Sequence, residues 1–116
     1  MLSWPPTVRV FVATEATDMR CGFDRLAAQV RDLLGQDPLS GHLFVFFSRW
    51  GDRVKILFWD RTGFCLYYKR LERGVFHRPR SEENPGPAEL PVPELMLILE
   101  GLDLSEAKRR KRFTIR

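Results

Sequence analysis

Cysteine and histidine are scarce in this chain. Of its 116 residues only Cys21 and Cys65 are cysteines, with no CxxC pair, and only His42 and His77 are histidines. Two cysteines cannot build a disulfide framework, and a Cys21/Cys65/His77 set has the spacing of no common zinc module. Cys65 lies in an apolar run and reads as a small buried hydrophobe. No apolar run nears the ~18 residues that a membrane span requires. The opening Met1-Leu2-Ser3-Trp4-Pro5-Pro6 has no basic segment followed by an apolar one, so no secretory signal is visible. A cytoplasmic protein with no membrane partner is expected. A Gly-rich phosphate loop, HExxH and GxSxG are all missing, and no metal or organic cofactor is expected.

What is present is enough for a core. Hydrophobic residues make up 44% and charged residues 29%, a balance that suits one folded domain rather than a disordered chain. The division expected is a single domain over residues 1–104 and a basic tail over residues 105–116. Net charge is +4, which favours anionic partners, nucleic acid foremost.

Val8 to Val12 is β-branched and aromatic and reads as a strand. Asp18 is a candidate helix cap, and Phe23, Leu26, Ala27, Val30, Leu33 and Leu34 then recur at helical spacing, with Gly35 placed to end the helix. Residues 43–47, 54–59 and 64–71 follow as three strands. Their short separators contain Asp and Gly, so they form an antiparallel meander. Arg80 to Pro93 reads as an exposed loop or arm. Pro93, Leu95, Ile98, Leu99 and Gly101 then mark a short second helix. The fold class is α+β: an antiparallel sheet of about four strands, one main amphipathic helix, a short second helix and the tail.

The meander carries the candidate site. With turns centred on Trp50-Gly51 and Arg61-Thr62, period-two alternation puts Arg53, Lys55, Leu57 and Trp59 on one face, opposite Phe64, Leu66, Tyr68 and Arg70. Val54, Ile56, Phe58, Cys65 and Tyr67 take the other face, the natural seat for the long helix. The first face would mix cations with aromatic rings, the pairing that nucleic acid exploits for phosphate contact and stacking. A sheet buried on both sides, with Arg53 and Arg70 snorkelling from its rim, is the reading weighed ahead of it. With the first face open, the candidate nucleic-acid contacts are Arg53, Lys55, Trp59, Tyr68 and Arg70, joined by Lys108, Arg109, Arg110, Lys111 and Arg112 of the tail. Each exposed cation that neutralises a phosphate adds salt-sensitive affinity. A metal-dependent nuclease is the minor alternative. Asp52 and Asp60 flank one strand and stand some ~20 Å apart, too far to share a metal pair.

Longer stretches carry a resemblance. Thr17-Asp18-Met19-Arg20, Gly22-Phe23-Asp24, the run from Asp37-Pro38-Leu39-Ser40-Gly41-His42 to Phe46, the run from Gly51-Asp52-Arg53 to Asp60, the run from Gly63 to Gly74 and Leu99-Glu100-Gly101-Leu102-Asp103 are similar to the TnpB-type accessory proteins of the sixty-six family of insertion sequences. These are unrelated to the RNA-guided nuclease of the same name. The resemblance spans about Val8 to Asp103. It implies a protein carried by a transposable element and needed beside a separate transposase for transposition; the function expected from charge and aromatic placement is a non-catalytic accessory protein that binds DNA, the transposase, or both. The resemblance supplies no catalytic residues. A module that grips only proteins of the transposition complex is the rival function. The Trp-Pro-Pro opening, Cys21 and the arm from Arg80 to Pro91 depart from the family pattern.

Overall fold

A computed structural model describes Pro5 and residues 7–79 and 87–101. Along the chain run β1 (Val10–Val12), α1 (Phe23–Asp32), β2 (Leu43–Phe47), β3 (Arg53–Trp59), β4 (Phe64–Arg70), β5 (Ala88–Leu90) and α2 (Val92–Leu99). The strands make one five-stranded sheet in the order β4-β3-β2-β1-β5. The α+β class and the antiparallel β2-β3-β4 meander are as expected, whereas β1 lies parallel to β2, so the sheet is mixed. A parallel pair needs a long crossover, and α1 supplies it.

β2 is apolar at all five positions because both of its faces are covered. On one face Val10, Val12, Leu43, Val45, Phe47, Val54 and Ile56 pack under Leu95, Ile98 and Leu99 of α2. On the other, Phe11, Phe44, Phe46 and Leu57 pack under Leu26, Ala27 and Val30 of α1. Three sequence expectations fail in this fold. The long helix does not sit on the Val54/Ile56/Phe58 face but on the face of Lys55 and Leu57, and the short α2 takes the expected seat. Alternation sorts residues into two sides without saying which helix covers which. The preferred hand of a β–α–β crossover decides that, and it is a property of connectivity.

The second failure concerns the segment read as a loop or arm. Within it, β5 pairs antiparallel with β1 through Val12–Ala88, Phe11–Glu89 and Val10–Leu90. Arg9 donates two hydrogen bonds to Glu89, at 3.0 and 2.6 Å, across that pairing. Three residues beside prolines are too few for alternation to register. Asp18 also proves not to be the cap of α1, a position held by Gly22. Its carboxylate accepts instead from the backbone N–H and guanidinium of Arg20 in the preceding loop. Gly35 (φ +63°) and Gly101 (φ +81°) do follow their helices in the left-handed conformation that a side chain would resist.

Candidate nucleic-acid interface

The inferred register holds residue for residue. Arg53 pairs with Arg70, Lys55 with Tyr68, Leu57 with Leu66 and Trp59 with Phe64. Asp60 N–H donates to Gly63 O and closes the β3–β4 turn, while Leu71 N–H donates to Asp52 O at the open end of the hairpin, so the phase is the same at both ends. Asp60 braces the second turn further by accepting from the N–H groups of Thr62 and Gly63 and from the Cys65 thiol. Burial, and next the carboxylate that this thiol faces, push the Cys65 pKa up.

Lys55 is the departure. Strand alternation places it as a solvent-facing cation, yet only 6% of it is exposed. Its ammonium donates to the backbone oxygens of Met19 (2.6 Å) and Cys21 (2.9 Å) and lies 4.7 Å from the centre of the Tyr68 ring. A buried ammonium is tolerated only when its donors find acceptors, and here three groups receive it. Lys55 therefore fastens the loop before α1 onto the sheet. The sheet is covered on both sides at this point, and cations reach solvent only at the rim.

At that rim the Arg53 guanidinium donates to the Tyr68 hydroxyl at 3.3 Å, and Arg70, directly across the strand pair, reaches Glu72 at 3.4 Å. Tyr68 is 48% exposed. The loop that Lys55 holds brings Arg20 to the same end of the sheet. Its guanidinium is gripped by Asp18 at 2.7 Å while staying exposed. The Arg20 hydrogen bond holds the Asp18 carboxyl well below its ordinary range, at about 2. Arg53, Tyr68 and Arg70 thus form one group beside Lys55, which also holds the backbone on either side of Arg20.

Trp59 does not join it. It stands at the far end of β3, six residues or ~20 Å from Arg53, with its ring set edge-on to Phe64 at 5.1 Å. Lys108 to Arg112 lie outside the described residues. Arg20 does not stand out in the sequence, because Asp18 there suits a helix cap equally well. The Asp-x-Arg spacing, which suits a side chain folding back on its own loop, was the available signal.

Among the described residues, no group of three or more His, Cys, Asp or Glu side chains is placed to hold a metal ion. Asp52 accepts from the Ser48 hydroxyl at 3.2 Å, a turn role distinct from that of Asp60. A pocket beside α1, lined in part by Thr14, Glu15, Thr17 and Gln29, measures about 210 Å³, smaller than the usual small-molecule site. No helix among the described residues is long and apolar enough to cross a membrane.

Comparison with known proteins agrees in extent with the sheet and both helices. Residues 8–109 match the family described as IS66 Orf2 like protein. Two proteins of Sinorhizobium fredii (strain NBRC 101917 / NGR234) are similar over 103 residues each. "Uncharacterized protein y4hO" is 44% identical, covering 89% of this chain and 88% of its own. "Uncharacterized protein y4jC" is 36% identical, covering 89% and 86%. No solved structure matches.

Proposed function

The chain belongs to the family of IS66 Orf2-like proteins, and from that premise we propose that it is a non-catalytic accessory protein of an insertion sequence, holding DNA beside a separate transposase. The observation that carries the DNA reading is the rim patch. Arg53 and Arg70 sit side by side on adjacent strands, with the half-exposed Tyr68 ring next to them and Arg20 brought up by the Lys55 tether. Two like charges directly opposite on a sheet oppose folding. An anion bridging them would turn that repulsion into attraction.

Guanidinium groups pair two-pronged with phosphate oxygens and do not read base identity by such contacts. The contact is therefore to the DNA backbone, with Tyr68 available for stacking on an unpaired base. Lys55 acts by positioning and Trp59 stands apart. The tail cations from Lys108 to Arg112 add phosphate contacts of the same kind.

The test is a gel shift on fragments from the ends of an insertion sequence, comparing the unaltered chain with Arg53→Ala/Arg70→Ala. Retention that weakens steeply with salt, and is reduced by the double substitution, is expected. No retention even at low salt overturns the reading. A pull-down of the transposase from nuclease-treated extract in that case favours the protein-binding rival.

A further inference from the structure

We infer that the free edge of β4 is a self-association surface, on which a second copy of this chain adds its own β4 antiparallel to make one continuous ten-stranded sheet. This inference stands apart from the DNA reading. The two edges of the sheet are unlike. β5 is three residues long and has the Arg9–Glu89 ion pair beside it, the kind of short, charged edge that resists addition. β4 is seven residues long, contains no proline, and pairs with β3 without a bulge. Among the described residues, no strand pairs on its outer side.

The hydrogen-bond phase states which groups that edge offers. Leu71 donates to Asp52 and Gly63 accepts from Asp60, the residues flanking β3, so Cys65, Tyr67 and Lys69 also turn their backbone groups inward. Phe64, Leu66, Tyr68 and Arg70 consequently turn their N–H and C=O groups outward. A two-fold axis perpendicular to the sheet and passing through Tyr67 lays Phe64 opposite the partner copy's Arg70 and Leu66 opposite its Tyr68. All four outward-facing residues then pair at once, and every side chain stays on its own face.

Charge selects the same arrangement. Parallel, in-register addition would stack Lys69 on Lys69 and Arg70 on Arg70. Antiparallel addition about Tyr67 sets Lys69 opposite Cys65 and carries the Arg70 guanidinium to Phe64, whose ring already stands edge-on to Trp59. The axis also leaves both rim patches on one side of the joined sheet, ~20 Å apart along the strands.

The test uses the whole chain. Sedimentation equilibrium over a concentration series is expected to give twice the chain mass of 13.6 kDa. Lys69→Cys is then oxidised at alkaline pH. In the pairing described, position 69 faces Cys65 of the other copy as a non-hydrogen-bonded pair with Cα atoms ~4.5 Å apart, within reach of a disulfide. Within one chain the two positions are four residues or ~13 Å apart along the strand and cannot bond. A covalent dimer with Lys69→Cys, lost in Cys65→Ser/Lys69→Cys, is the expected result. A monomeric mass at all concentrations, or a dimer that Lys69→Cys does not lock, overturns the inference and leaves the edge to another occupant.

Discussion

Replacing Lys55 with methionine isolates the buried ammonium, because the side chains are of similar length and only the charge and its donors go. Two hydrogen bonds, at 2.6 and 2.9 Å, and the contact with the Tyr68 ring are lost. A hydrogen bond to a charged group contributes about 1.5–3 kcal/mol. Methionine regains part of this because no ammonium then has to leave water. Lys55→Met should therefore cost about 2–3 kcal/mol, which lowers the melting temperature of a domain of about 100 residues by roughly 10 °C or more. Circular dichroism melts measure the loss. Hydrogen exchange should place it in the loop before α1, where the amides from Met19 to Gly22 become less protected. A loss under about 0.5 kcal/mol, the size seen for exposed substitutions, would refute the tether.

Three other outcomes follow from local geometry. The Asp18 carboxyl is lowered from the ordinary 3.8 to about 2 by Arg20; its contribution is fully present above pH ~4 and lost as pH falls through ~2, so Asp18→Asn should flatten the acid limb of stability in that window. Arg61 holds φ +87° at the first central position of the β3–β4 turn, a conformation glycine adopts without strain, and Arg61→Gly should raise the urea midpoint by the equivalent of about 0.5–1 kcal/mol at unchanged slope. Glu89→Gln removes the anion that the exposed Arg9 grips, and should change stability by less than about 1 kcal/mol in a melt, with the small effect shrinking further in salt.

The meander was legible in the sequence for a physical reason. Asp60-Arg61-Thr62-Gly63 and Trp50-Gly51 are strong turn formers, and once they fix the phase, period-two alternation fixes every pair from Arg53–Arg70 to Trp59–Phe64. The covering of each face was not legible, since exchanging the two sides leaves the alternation unchanged. Lys55 misled because a charged residue in a strand ordinarily marks solvent. The two carbonyls that receive it come from residues 34 and 36 positions earlier in the chain, which local spacing cannot reveal. β5 escaped notice because it is short and follows a proline-rich stretch. The Arg53–Tyr68–Arg70 grouping was visible from the register alone, whereas Arg20 is tied to this end of the sheet only through the Lys55 tether.

The proposed role depends chiefly on phosphate contact through the rim guanidinium groups. Its most direct test is the slope of log Kd against log salt for a short duplex, read by fluorescence anisotropy for the unaltered chain and for Arg53→Ala/Arg70→Ala. Each lost phosphate contact should reduce the slope by about 0.9 on double-stranded DNA, so the double variant is expected to bind more weakly, with a slope shallower by about 2. An identical slope and affinity for the two proteins would contradict the placement of DNA at this end of the sheet.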